Sequence, residues 1–368
     1  MSITPRKTVK GTTTYEVAVR YKKFGRKVQT SKRGFRTHKE AEIYQAKLYE
    51  QIKRYGQPLN CDKLTLKAVY DEFMQKEKNR YQYNTLYNTQ KTVCYWCGEK
   101  AIIDLGKMEI NKIKYSDLQE FFDKRQNESK SVNKDIKSAL NRIFKYAIRS
   151  DYIDHNPMAY VVVSGVINKR DKHILTSSEY EALLHDLTTR NTLTSLQLKM
   201  IVEIGHGTGM RISEILALHK KDIDLHNRRI NINHKLNYKG LSKSERFVST
   251  DLKSIASGDP VIIPNSLILP LKKWIDECST DALFLTKEGY YQNPDSLGNR
   301  LRKICKDDLD FEFHFHLLRD CYATTLVNAG VEPKVAQELL RHKNFNTTFS
   351  IYAHALDDKK RNCVNQLF

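Results

Sequence analysis

The sequence has no run of about 18 apolar residues, the length a membrane-crossing helix needs. The N-terminal stretch MSITPRKTVKGTTTYEV also lacks the apolar segment of a signal peptide, so a soluble intracellular protein without a membrane partner is expected. Its seven cysteines, at 61, 94, 97, 278, 305, 321 and 363, are odd in number and scattered, which does not describe a disulfide framework. Only Cys94 and Cys97 form a CxxC, in VCYWCGEK, and no second pair or nearby histidine cluster supplies the remaining ligands of a structural zinc. Two half-buried thiols on a helix are expected there. Internal repeats and low-complexity tracts are absent as well. Acidic residues are in short supply: 43 Asp and Glu face 62 Lys and Arg, a formal charge of +19. That excess favours a polyanionic partner through steering and counterion release, and nucleic acid is the first candidate.

At 368 residues the chain is too long for one ordinary core, and its charge is unevenly spread. Residues 1–60 hold 15 Lys or Arg against 4 Asp or Glu, which marks a separate basic module. Within it Tyr15, Val17, Val19 and Tyr21 alternate with polar residues, an FGRK turn follows, and KVQTSKRGF continues as strand. From Thr37 the period changes: Thr37 and Glu40 fit a capping box, and Ala41, Tyr44, Leu48 and Ile52 recur at helical spacing until Gly56. Strands and one helix, strongly basic, suit a β-sheet DNA reader. Residues 61–165 read as an all-α module of four or five helices: LTLKAVYDEFMQKEK, NTLYNTQKTVCYWC, YSDLQEFFDKRQ and SVNKDIKSALNRIFKYAIRSDYI. VVSGVINKRDKHIL is a linker, after which Thr176 and Glu179 form a second capping box and open a third module, residues 172–368.

Three stretches of that last module carry the chemistry. In GHGTGMRISEILAL, Gly207 and Gly209 allow a tight approach before a helix with Ile212, Ile215, Leu216 and Leu218 on its apolar face, and Arg211 sits at its start beside Glu214. In FEFHFHLLRDCYATTLVNAG, alternating phenylalanines enter a helix that Gly330 ends, and His316 and Arg319, three apart, can address one anion from one helix face. In VEPKVAQELLRHKNFNTTFSIYAH, a helix beginning near Pro333 places His342 at its end and Tyr352 ten residues later.

Together these stretches resemble the tyrosine recombinases, or phage-type integrases. Arg211 stands in the family's GxR segment, Glu214 in its nearby acidic position, His316 and Arg319 in its HxxR, His342 at its second histidine and Tyr352 at its nucleophile. The family's hairpin lysine is matched by Lys253, since Lys253, Ser257 and the following VIIP fit a KxxxS pattern, with Lys239 and Lys243 as alternatives. Asp259, Asp320 and Arg341 depart from the usual residues. The resemblance implies a multidomain α+β protein: a small β-sheet plus helix N-terminal domain binding arm-site DNA, an all-α core-binding domain, and a mainly α catalytic domain with a small antiparallel β-sheet. It further implies double-stranded DNA at core and arm attachment sites, a homotetramer on DNA to whose neighbouring protomer the tail at Val364, Leu367 and Phe368 docks, and an accessory DNA-bending or excision factor. The expected setting is the cytoplasm of a bacterial host, on a phage or conjugative transposon.

The residue types suit phosphodiester exchange. Non-bridging oxygens gain negative charge in the five-coordinate state, and permanently charged, forked guanidiniums at Arg211 and Arg319 stabilise it. His316 and His342 add donors, and surrounding cations favour the Tyr352 phenolate. The family's reaction stores energy in a 3′-phosphotyrosine bond, so no cofactor and no metal are expected, in keeping with the lack of a GxxxxGK[ST] loop. A type IB topoisomerase shares this chemistry but not the basic N-terminal module, and a regulator that has lost catalysis would not need the full set.

Overall fold

The computed structural model describes residues 2–7, 12–23, 26–55, 64–167, 173–250 and 259–349. Lys253, Ser257, Tyr352 and the 364–368 tail lie outside the described residues. The chain divides into two compact units, residues 1–168 and 169–368.

In the first unit, β1 (Ser2–Lys7), β2 (Thr13–Lys23) and β3 (Arg26–Phe35) form an antiparallel sheet in that spatial order. The alternation around Tyr15 works as expected: Val17 and Val19 are fully buried against Ala41 and Leu48 of α1 (His38–Tyr55), with Tyr44 and Ile52 alongside. β1 has no periodic signal in the sequence because it carries Pro5, a residue without an N–H that a sheet tolerates at its edge, where β1 lies. Thr37 Oγ1 accepts the Glu40 N–H at 3.2 Å, but the Glu40 carboxylate takes the N–H of Arg36, not that of Thr37, so the capping box is displaced by one residue. On the face away from α1, Glu16 is held between Arg33 (2.9 Å) and Arg6 (2.7 Å). The Arg33 bond first, against burial and with help from Ser31 and Arg6, holds the Glu16 carboxyl down at about 2.

A second core in the same unit is built by α2 (Leu66–Lys76), α3 (Tyr83–Lys91), α4 (Val93–Trp96), α5 (Tyr115–Asp123) and α6 (Lys130–Arg149). Phe73, Trp96, Phe121, Phe122 and Phe144 are its largest fully buried side chains, each worth roughly 1.5–3 kcal/mol on burial. NTLYNTQKTVCYWC is therefore two helices broken at Thr92, whose hydroxyl bonds back to Thr89 O at 2.7 Å. Cys94 is exposed and Cys97 follows α4 as its C-terminal cap, which corrects the expectation of two half-buried thiols on one helix.

The second unit is mainly helical. Thr176 caps α7 (Ser177–Thr189) in a reciprocal box with Glu179, at 3.2 and 2.7 Å. α8 (Leu193–Thr208) runs through its centre, with Ile201, Val202 and Ile204 buried. α9 (Ile212–Ile215) leads to the antiparallel sheet of β4 (Ile223–Asp224), β5 (Arg229–Ile230) and β8 (Val261–Ile262), and β6 (Lys235–Asn237) pairs with β7 (Phe247–Ser249) in a second. α10 (Asn265–Glu277), α11 (Pro294–Asp308), α12 (Phe315–Asn328) and α13 (Pro333–Leu339) complete it. Among the described residues no helix is long and apolar enough to cross a membrane.

Candidate active site

Gly209 fixes the entry to the site. It ends α8 with φ +65°, and a Cβ there would fall 2.5 Å from the Tyr322 ring on α12, so two independent constraints require glycine. The chain then turns so that Arg211 precedes α9, and that helix is a single turn. Leu216 and Leu218 are buried from the segment beyond it, so the apolar spacing read as a longer helix reflects burial, not helical repetition.

Glu214 organises what surrounds it. Its Oε1 accepts from the Arg211 guanidinium at 2.8 Å, and its Oε2 accepts from the Arg211 backbone N–H at 3.1 Å and from the Arg341 guanidinium at 2.7 Å. Burial alone would raise its pKa, but Arg341 and then Arg211 outweigh burial and hold the carboxyl below its ordinary value. Glu214 was expected beside Arg211; its second partner was not. Arg341 follows α13 in the left-handed region at φ +53°, a backbone conformation that favours glycine, at one of the positions where this chain departs from the family it resembles. Here the strained backbone carries a guanidinium whose side chain is 1% exposed, into the cluster. The only sequence signal was a bulky residue at a helix end where glycine fits.

His314 caps α12, its Nδ1 accepting the Leu317 N–H at 2.9 Å. The helix presents His316 and Arg319 differently. Arg319 is 3% exposed and donates to Gly209 O and to Leu340 O, so it clamps the end of α8 to the end of α13. Burial, then the neighbouring charges of Arg211 and Arg341, bring its pKa down to about 9, which leaves it charged at neutral pH. The His316 side chain is 69% exposed, with Asp320 Oδ1 3.6 Å from its Nε2. Desolvation by the surrounding protein, opposed by Asp320 and aided by Arg319, lowers its pKa.

His342 lies just beyond Arg341, its Nδ1 2.9 Å from Thr348 Oγ1 and its carbonyl accepting from Gln337 at 2.9 Å. Desolvation first, then Arg319 and Arg211, lower its pKa to about 4, so its ring is neutral near pH 7. An open groove of about 830 Å³ leads to it between Tyr322, Gln337 and Val261. Arg211, His316, Arg319 and His342 are thus brought within electrostatic reach of one another, with Arg341 added. Three guanidiniums around one buried carboxylate leave a net positive site, preorganised for an anion that spreads charge over several oxygens.

A model described as the phage integrase family matches residues 173–359, one for an arm DNA-binding domain matches 5–52, and one for the phage integrase central domain matches 66–162. A tyrosine recombinase of Thermosipho africanus is 28% identical over 298 residues, covering 78% of this chain and 94% of that protein. A tyrosine recombinase XerC-like protein of Caldanaerobacter subterraneus subsp. tengcongensis is 27% identical over 290 residues, 72% of this chain and 73% of its own. Among solved structures, the Tn1549 transposon integrase in complex with a circular intermediate DNA has a TM-score of 0.64 at 23% identity, covering 83% of this chain and all of that one. A lambda integrase dimer bound to a core site has a TM-score of 0.53 at 16% identity, covering 95% and 94%. The phage integrase family model covers more than half of the chain, and the chain belongs to that family, the tyrosine recombinases, enzymes of site-specific DNA recombination.

Proposed function

We propose that this recombinase integrates and excises a mobile element by cleaving DNA through Tyr352. The observation that carries the reading is the Glu214-centred cluster, in which Arg211 and Arg319 lie close enough for each charge to act on the other. In the proposed step Tyr352, its phenol proton released to solvent under the pull of the surrounding cations, attacks the scissile phosphorus as the phenolate, the bond to the 5′ oxygen breaks, and a 3′-phosphotyrosine forms. Lys253 gives the leaving 5′ oxygen its proton. Arg211 and Arg319 hold the non-bridging oxygens, and His316 and His342 donate further hydrogen bonds. Attack of a 5′ hydroxyl from a second duplex reverses the bond changes and joins the new strand.

Three modules divide the labour in this reading: 1–60 grips arm-site DNA, 61–165 grips the core site, and 172–368 performs the chemistry, as a homotetramer on DNA in the bacterial cytoplasm, with an accessory DNA-bending or excision factor. The match of an arm DNA-binding domain to residues 5–52 supports an integrase over a type IB topoisomerase, which shares the chemistry but not that module. Tyr352→Phe is the test. The variant should bind a nicked core-site duplex with wild-type affinity and form no covalent adduct; an adduct from it would remove Tyr352 from the mechanism. Lys253→Ala should be rescued by a substrate whose 5′ leaving group is a thiol, which needs no protonation, whereas Lys239→Ala and Lys243→Ala should cleave the ordinary substrate.

A further inference from the structure

We propose that His219, Asp222 and His234 bind one divalent transition-metal ion, of which Zn²⁺ fits the ligand set best, and that this ion pins the entry of the β6–β7 hairpin to the turn that follows α9. The three side chains lie away from the Glu214 cluster's hydrogen bonds and have no part in the strand-exchange chemistry, so the inference stands independently of it.

The geometry is that of ligands waiting on a shared centre. His219 Nδ1 is 3.6 Å and His234 Nδ1 is 3.7 Å from the same oxygen, Asp222 Oδ2, and all three ligand atoms lie within 4.8 Å of one another. Those separations are too long for hydrogen bonds. They approach the spacing of about 3.3–3.5 Å that tetrahedral zinc, with bonds near 2.0–2.2 Å, imposes on its nitrogen and oxygen ligands. Both Nδ1 atoms are sealed from solvent and neither has a hydrogen-bond partner. Buried polar atoms are rarely left so, and two such atoms converging on one carboxylate call for a shared acceptor of their lone pairs.

The carboxylate is itself held in place. Asp222 is 2% exposed; its Oδ1 accepts from the Asn233 amide at 2.9 Å and its Oδ2 from the His219 backbone N–H at 2.9 Å. Such outer partners orient a metal ligand before the metal arrives. The backbone also converges, since the Asn231 N–H donates to Asp222 O at 2.8 Å. Two imidazoles and one carboxylate favour zinc among the abundant divalent ions, with a fourth position left for water. His219 also forms a β-bridge with Ala282, and His234 directly precedes β6, whose partner β7 ends four residues before Lys253. An ion here would therefore tie the segment after Arg211 to the strand pair that leads to the proposed general acid.

The test uses the untagged full-length chain, stripped with chelator, equilibrated with Zn²⁺, and dialysed before metal analysis by mass spectrometry. One zinc per chain is expected, together with a rise in the thermal midpoint on adding Zn²⁺. His234→Gln and Asp222→Asn should each lose the ion and the thermal response, while the Cys94→Ser/Cys97→Ser variant should keep both. To read the ligand set without relying on variants, the wild-type protein is also loaded with Co²⁺, whose spectrum should show tetrahedral nitrogen and oxygen ligands without a thiolate band. Absence of bound zinc in the wild type, retention of it by folded His234→Gln, or a thiolate band in the cobalt spectrum would each overturn the proposal.

Discussion

The carboxylate of Glu214 and the guanidinium of Arg341 meet at 2.7 Å with side chains 5% and 1% exposed, although 127 residues separate them in the chain. This pair joins the turn after α8 to the end of α13 and so sets Arg211 and His342 relative to each other. Its weight can be measured. Arg341→Gly would relieve a left-handed backbone, worth about 1–2 kcal/mol, but would leave a buried carboxylate short of one partner, at about 3–5 kcal/mol. The second effect is larger, so the substitution should destabilise the protein by roughly 1–4 kcal/mol. Denaturant unfolding followed by tryptophan fluorescence checks this, since Trp274 lies in the same unit. A stability equal to or above wild type would mean the pair carries no net weight.

Arg319→Lys tests whether shape matters beyond charge. The guanidinium reaches Gly209 O and Leu340 O from separate nitrogens, and an ammonium on a single stem cannot fork in that way. One carbonyl left unsatisfied costs about 1–3 kcal/mol. Cleavage should fall about 10²–10³-fold, the usual loss when one transition-state donor is removed. Single-turnover adduct formation on a nicked duplex gives the rate; wild-type cleavage by the lysine variant would show that charge alone suffices.

These two residues also show what the sequence could and could not carry. HxxR and the histidine before Tyr352 are legible because the proposed chemistry asks for fixed residue types at fixed local spacing. Arg341 is not, because its role depends on a contact across 127 positions that no local period encodes. The same division holds in the fold. Val17 and Val19 announce β2 through period two, whereas β1 hides behind Pro5 at a sheet edge. Helix period found α2 and α6, yet read one helix across Thr92, where the chain breaks and a hydroxyl caps the backbone. The His219, Asp222 and His234 cluster has no local spacing signal either, because tertiary packing brings His234 to the turn that carries the other two.

Acid should destabilise the second unit, because several of its groups have lowered pKa values when folded, His342 and Glu214 among them. His342 binds its proton at about 4 in the folded chain and near its ordinary 6.5 when unfolded. Between those values only the unfolded state is protonated, so stability is lost as pH falls from about 6.5 to about 4. Glu214, also lowered when folded, adds a second loss as pH falls below the ordinary carboxylate range. Denaturation midpoints from pH 8 to pH 4 should fall steadily, and His342→Gln should flatten the upper part of that fall while leaving the lower part. DNA phosphate beside His342 would raise its pKa, so binding to a core site should take up protons, which calorimetry in buffers of different ionisation heat can count. No uptake would place the phosphate away from His342.

The basic sheet makes a separate claim about partner choice. Removing residues 1–60 should weaken binding to an arm site far more than cleavage of a core site, because the proposed chemistry lies wholly in the second unit. A finer version uses the register of β2 and β3, where Arg20 lies opposite Gln29 and Lys27 shares its outward face. Arg6 and Arg33 are partly spent on Glu16, whereas Arg20 donates to a neutral glutamine, at 2.9 Å. Arg20→Gln and Lys27→Gln should therefore each lower the slope of log affinity against log salt on arm-site DNA by about 0.9, the loss of one phosphate contact. Binding to the core site should keep its slope. Equal loss at both sites would mean that the sheet does not select arm DNA, and an unchanged slope at the arm site would mean that these two cations face solvent and not phosphate.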